Sequence, residues 1–298
     1  MSRALIVLIV LISSNFASGQ QLSGAGNSRT AGIGVESFAP KLFEPYQADY
    51  QFRGKVIGIP LSLFRYSTRI TELRDEWQET QVFHIEFLDT FGLADPNLRD
   101  VEISSVVDLK TGILKKMSAR FPNRPIGFSE FDFTTPGKID VRETNGKRTS
   151  SRVIDSHGPV YPCTYSNTFL SYLPLNDTFS ETFNCVEIDK DDNSNKDVVR
   201  FSNRTLRVVG SETVVIDAGR FDCYKLVDRS EEIKYNKDGS VKSKKSIQAG
   251  AFNPERLIGH AYNFLWVDKA THKVVKGEFA VKGASLSVEL QPSTKRDL

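Results

Sequence analysis

The chain has 298 residues, 39 Lys and Arg against 37 Asp and Glu, and 39% hydrophobic residues. A formal charge of +2 supplies no clustered basic face of the kind nucleic acid requires. The length is enough to bury a full core, as one large β domain or two small ones.

The first residues read as a targeting signal. Arg3 gives a basic start, Ala4 to Ile12 is unbroken apolar sequence, and Ala17-Ser18-Gly19 offers the small residues a signal peptidase reads. A spanning helix needs about 20 apolar residues, so this run is too short to cross a bilayer. Cleavage is expected after Gly19, with the exported chain starting at Gln20. An uncleaved anchor is the rival reading, and the polar Ser13, Ser14 and Asn15 speak against it. No cysteine precedes Cys163, so a lipid-modified cysteine at the cleavage site is not expected. The expected organisation is a signal over 1–19, a Gly- and Ser-rich flexible leader over 20–45, a single β-rich domain over 46–290 and a flexible tail over 291–298. Location is expected to be periplasmic or extracellular, with no transmembrane anchor.

From Tyr46 the chain alternates. Tyr46, Ala48, Tyr50 and Phe52 interleave with Gln47, Asp49, Gln51 and Arg53, the period-two pattern of a strand. Val56 to Phe64 continues it through Gly58 and Pro60, and Ser67 to Leu73 and Thr80 to Leu88 have the same pattern. Ile103 to Phe121 is a hairpin: Asp108 and Gly112 are the residues a type I turn followed by a left-handed position wants. Glu130 to Arg152 is strand-like, punctuated at Pro136-Gly137 and Asn145-Gly146. The best helix candidate, Ser166 to Leu173, is stopped by Pro174. Asp189 to Asp197 reads as a solvated loop, and Lys234 to Lys245 as a hairpin tip.

Two units near the end are the most patterned. One is Gly210-Ser211-Glu212 leading through Val214-Val215-Ile216 to Asp217-Ala218-Gly219-Arg220-Phe221. The other is Trp266-Val267-Asp268 with its basic return strand to Phe279. Val267 to His272 echoes Val107 to Gly112, and two hairpins sharing turn chemistry are the simplest account. Trp266 and Phe221 are expected on the inner face of a sheet. So many strands and so few helices predict a mainly β fold: a curled antiparallel sheet, a β-roll or partial, unclosed barrel.

Cys163, Cys185 and Cys223 suggest one disulfide and one thiol in an exported chain, and any of the three pairings is open. All three may equally stay reduced as small buried hydrophobes. His84, His157, His260 and His272 have no metal-ligand spacing, so no metal site is expected. Asp155-Ser156-His157 near Cys163 lacks the context of a nucleophilic site. Asp189, Asp191, Asn193, Asn195 and Asp197 follow the spacing of a calcium loop. Ser194 stands where the turn glycine belongs, however, and Arg200 where the bidentate Glu belongs. Asn176-Asp177-Thr178 and Asn203-Arg204-Thr205 are formal glycosylation sequons, a short pattern common by chance that matters only in a eukaryotic secretory host. No catalytic residue and no cofactor is nominated.

The Gly210–Leu226 unit followed by the Trp266–Phe279 hairpin resembles the bacterial exported family known as domain of unknown function 3108. Val106 to Lys116 and Phe169-Leu170-Ser171-Tyr172-Leu173 also sit where that family's features lie. The resemblance implies a curled antiparallel β-roll in the cell envelope, with no activity to carry over. More distantly, the Trp-Asp hairpin is similar to periplasmic lipoprotein carriers of the LolA type, which hold acyl chains on a concave sheet face. Phe83, Phe87, Phe121, Phe128, Phe131, Phe133, Tyr161 and Phe169 would line such a concavity or fill it. The expected function is a non-enzymatic envelope protein that holds an apolar or lipidic ligand, or a lipidated partner, in the concave sheet. An envelope hydrolase acting on glycans or peptides, and a structural or adhesive module, are the alternatives.

Overall fold

A computed structural model describes residues 47–56, 59–73, 76–84, 101–120, 127–162, 169–170, 173–190, 197–235, 241–247, 264–281 and 284–292. The expected signal and leader, most of the calcium-like loop and the last six residues lie outside them. Among the described residues the strands are β1 (Gln47–Val56), β2 (Ile59–Leu73), β3 (Glu76–His84), β4 (Val101–Asp108), β5 (Leu114–Arg120), β6 (Phe128–Asp132), β7 (Lys138–Asn145) and β8 (Arg148–Asp155). The second half adds β9 (Ser180–Lys190), β10 (Asp197–Ile216), β11 (Gly219–Tyr235), β12 (Val241–Ile247), β13 (Phe264–Asp268), β14 (Val274–Val281) and β15 (Ala284–Leu290).

All belong to one antiparallel sheet, ordered β8-β7-β6-β5-β4-β3-β2-β1-β15-β14-β13-β11-β10-β9. β1 pairs with β15 from Tyr50↔Leu290 to Val56↔Ala284, which joins two meanders edge to edge. β11 is long enough to serve two neighbours on one side, β13 through Cys223–Val227 and β12 through Ser230–Tyr235. The sheet is large and not closed into a barrel, as the strand-rich sequence predicts. One expectation changes: the chain does not run straight through Val56 to Phe64 but reverses there, pairing Val56 with Ile59.

Alternation sets the faces. β7 buries Ile139, Val141 and Glu143 and exposes Lys138, Asp140 and Arg142, one side chain per face in turn. Gly146 (φ 55°) is the first central residue of the two-residue turn between β7 and β8, where a type II′ turn needs glycine.

The β4–β5 and β13–β14 hairpins match well beyond their turns. Asp108 accepts from the Thr111 amide and hydroxyl at 2.9 and 3.0 Å; Asp268 accepts from the Thr271 amide and hydroxyl at 3.0 and 2.7 Å. The left-handed position is Gly112 (φ 67°) in one and His272 (φ 53°) in the other. Each hairpin carries a bulge at the same place: Val106↔Lys116 then Val107↔Leu114, and Trp266↔Lys276 then Val267↔Val274. The outer neighbours also correspond, with Lys116↔Asp132 matching Lys276↔Glu289, and Glu76↔Asp108 matching Cys223↔Asp268. The strand sets β3-β4-β5-β6 and β11-β13-β14-β15 therefore share turn, bulge and pairing positions. Shared turn chemistry alone does not account for the common bulge.

The main core runs across both halves. It includes Tyr50, Trp77, Leu114, Met117, Phe131, Ile139, Phe183, Leu206, Leu226 and Val267. The residues after β8 cross from one half of the sheet to the other. The Leu114 amide donates to Val160 at 2.8 Å, and the Tyr161 amide donates to Asn184 in β9 at 2.8 Å. Beyond them, Phe169, Leu170, Leu173, Leu175 and Phe179 are buried in the same core. Phe169 and Leu170 form a 3₁₀ turn; the other residues of the expected helix, apart from Leu173, lie outside the described set. Trp266 and Phe221 depart from expectation. They belong to a separate small cluster with Val214, Cys223 and Val275, because the β10–β11 hairpin has its own apolar contact with β13 and β14.

Candidate functional site

The interior was expected to be either hollow or filled, and its described aromatic residues pack directly on one another. Phe169 meets Phe183 edge-on at 4.8 Å between ring centroids, and Tyr161 lies 5.9 and 5.6 Å from the two. Such edge contacts are the favoured aromatic geometry. Leu170, Leu173, Leu175 and Phe179 extend the packing. Among its described residues this stretch makes short-range backbone bonds such as Leu175 N to Leu173 O at 2.7 Å, and its end is tied to β10, where the Val208 amide donates to Phe179 at 2.9 Å. Side-chain burial and that bond hold it in place.

The buried polar groups do not converge. In β3 the Glu79 carboxylate accepts from the Thr68 hydroxyl and the Gln81 amide, both at 2.9 Å. Across β10 and β11, Arg204 grips Asp228 with Nε at 2.9 and 3.0 Å and Nη2 at 2.6 Å. Five strands lie between β3 and β11 in the sheet order. Glu143 has Arg152 at 2.9 Å, and Asp268 caps its own turn. Each buried carboxylate thus has a separate structural partner, whereas paired acid-base chemistry needs two groups facing one substrate.

The other sequence candidates also resolve individually. The Ser156 hydroxyl donates to the Gly158 carbonyl at 3.0 Å, and the His157 ring packs against Phe201 at 6.0 Å. His272 is a buried turn residue, and His84 lies in β3. His260 lies outside the described residues. No group of three His, Cys, Asp or Glu side chains able to hold a metal occurs among the described residues. Cys223 is a free, buried thiol. Burial pushes that thiol up to about 12, and the carboxylates of Asp268, Asp222 and Glu212 add to the effect. Cys163 lies outside the described residues. Two residues before it, Tyr161 bridges to Cys185.

What stays open is the β6–β7–β8 end of the sheet. β8 is its last strand, and among the described residues nothing pairs with its outer side. Its eight residues are all exposed or half-buried. The two-residue turn closes on Asn145↔Arg148, and the Ser156 amide still donates to Gly137 at 2.8 Å, in phase with that pair. Alternation then turns the backbone N–H and C=O of Thr149, Ser151, Val153 and Asp155 away from β7. Beside this edge is an open depression of about 360 Å³ lined by Glu130, Asp132, Asp140, Arg142, Ser151 and Val153, among others. Val153 is 59% exposed. Burial disfavours the Asp132 carboxylate, but the Thr134 hydroxyl and amide and the Lys116 ammonium outweigh it and hold Asp132 below its ordinary value. Arg142 lies 3.7 Å from Glu130. The surface is thus a mixed-charge ledge beside a bare strand edge. Sequence reasoning located the hairpin from Asn145-Gly146 but carried no signal that its outer strand would end the sheet.

A second polar-aromatic group occupies the β11–β13–β14 surface. The Trp266 indole donates to Glu212, and the Lys225 ammonium lies 4.9 Å from the Trp266 and Phe264 ring centres. Lys276 approaches Trp266 from another side at 5.3 Å. Arg53 of β1 meets Asp217 at the hairpin tip at 2.6 Å. These contacts hold the β10–β11 arm against the sheet, and Trp266 is only 4% exposed.

No protein-family model and no curated protein matches the chain, so the resemblance to domain of unknown function 3108 finds no family match behind it. Several solved structures are similar, three of which follow. The hypothetical lipoprotein YmcC from Escherichia coli is 11% identical, with a TM-score of 0.33 over 82% of this chain and 87% of that one. A lipoprotein candidate from Parabacteroides distasonis is 12% identical, with a TM-score of 0.34 over 86% and 98%. A candidate exported protein with a YmcC-like fold from Bacteroides fragilis is 10% identical, with a TM-score of 0.27 over 84% and 97%. Likenesses this low carry no argument about what this chain does.

Proposed function

We propose that the chain is an exported, non-enzymatic envelope protein that binds a partner as an added strand along β8. The edge of β8, unpaired among the described residues, carries this reading. An extended partner segment would take up the outward N–H and C=O groups, and the adjoining ledge would select its side chains. Export rests on the Arg3–Gly19 signal. The separately partnered carboxylates support a role without catalysis. Selection of extended peptides from a displayed random library tests the edge. Binders should be weakened at least tenfold by Ser151→Pro and Val153→Pro, which remove outward N–H groups but no ladder bond. Failure to select any binder, or binders indifferent to both prolines, refutes it.

A second reading keeps an apolar or lipidic ligand on the inner sheet face. One observation favours it: over the described residues from Phe169 to Leu175 the stretch makes only local backbone bonds before Val208 fixes Phe179, so an acyl chain there would displace mainly side-chain packing. The Cys163–Cys185 pairing, the one that leaves Cys223 free, belongs to the same proposal of an oxidising location.

A further inference from the structure

The two Asn-x-Thr triplets are placed in opposite situations. Asn176, Asp177 and Thr178 are all exposed, in a turn between Leu175 and Phe179. Both the Thr178 amide and the Thr178 hydroxyl donate to Asn176 Oδ1, at 2.9 and 2.8 Å. The Asn176 Nδ2 group is held by one long bond of 3.2 Å to the Pro174 carbonyl. Asn203 sits in the middle of β10, paired with Asn184 on one side and Glu231 on the other. Arg204, the middle residue of that triplet, is the buried partner of Asp228, and the Thr205 hydroxyl is 2.9 Å from that of Thr182.

We propose that Asn176 is an N-glycosylation acceptor and that Asn203 is not. The substrate class is a lipid-linked oligosaccharide with an Asn-x-Thr-reading transferase. Asn176 Nδ2 forms a bond to the anomeric carbon as that carbon's bond to the lipid pyrophosphate breaks. The pyrophosphate leaves with the bonding pair, and one amide proton passes to the transferase; nothing is oxidised or reduced. An acceptor needs an asparagine that can leave the surface with its hydroxyl residue beside it, and Asn176 meets both conditions. Asn203 is half-buried on a strand paired on both sides, so its backbone cannot lift away from the sheet as that of an acceptor must. The inference rests on the export half of the proposed function.

The test is secretion of the full chain, with its own leader, from insect cells, followed by deglycosylation and glycopeptide mapping of the protein in the medium. One glycan at Asn176 is expected, lost in Asn176→Gln and in Thr178→Ala and unchanged in Asn203→Gln. Secreted protein with Asn176 unmodified, or with a glycan at Asn203, overturns the proposal. Absence from the medium counts against export alone. The same chain behind a proven secretion leader then decides the site by the same two outcomes.

Discussion

Asp108 and Asp268 hold equivalent positions in two hairpins of one sheet, each receiving the amide and hydroxyl of a threonine three residues later. Around this shared frame the chemistry diverges. The bulge residue Lys115 sits 3.0 Å from both Glu76 and Asp108, while its counterpart Val275 is buried with Cys223 and Trp266. One frame holds a charged cluster in the first unit and an apolar one in the second.

Asp108→Ala and Asp268→Ala should each destabilise the fold by about 1–2 kcal/mol, the loss of two or three turn hydrogen bonds to a carboxylate. The hairpins are far apart in the sheet, so the double variant should show the sum. Urea denaturation of the four proteins measures it. Gly112→Ala should cost about 1 kcal/mol, because φ 67° is strained for any residue with a Cβ.

The Lys115 cluster predicts a pH window. Burial opposes ionisation of Asp108, but Lys115, Thr111 and Lys110 outweigh it and hold its carboxyl below the ordinary 3.8. Asp108 and Glu76 raise Lys115 above its ordinary 10.5. A depressed carboxyl contributes stability above its unfolded value and loses it as pH falls through the folded one. A raised lysine contributes below its unfolded value and loses stability as pH rises through the folded one. The stability difference between the protein and Lys115→Met should therefore be flat from about pH 5 to 9 and shrink at both ends. A difference that is constant from pH 2 to 12 would contradict the ion cluster.

Arg204→Met should cost about 3–5 kcal/mol, since it strands a buried Asp228 charge. Arg204→Met with Asp228→Leu should recover most of that loss. Thermal unfolding of the protein and these two variants distinguishes a buried pair from a surface one, for which both changes would be small.

Thiol counting checks the cysteines. A thiol raised to about 12 in a buried site should not react in the native protein. With Cys163 and Cys185 joined, one thiol should label after unfolding without reductant and three after reduction. Three labels before reduction would remove the disulfide.

Much of this fold is legible in the sequence because period-two alternation and turn residues are local. Asp108, Gly112, Gly137 and Gly146 mark turns that the structure confirms. The reversal between Val56 and Ile59 was missed, since apolar residues continue across it without an Asn-Gly type signal. The small cluster under the β10–β11 arm was also hidden, because alternation shows that Trp266 and Phe221 share a buried surface but not which one. Alternation starts β3 only at Thr80 and passes over Glu79, whose buried carboxylate is satisfied by Thr68 and Gln81 inside the sheet. The bare edge of β8 depends on strand order across the whole sheet, which no local pattern encodes.

Native mass spectrometry of the secreted protein after mild purification tests the central claim, partner binding at the β8 edge rather than a ligand on the inner sheet face, most directly. The account predicts the mass of the polypeptide and its covalent modifications, with no retained lipid. A stoichiometric bound lipid would contradict it and turn the inner sheet face into the functional site.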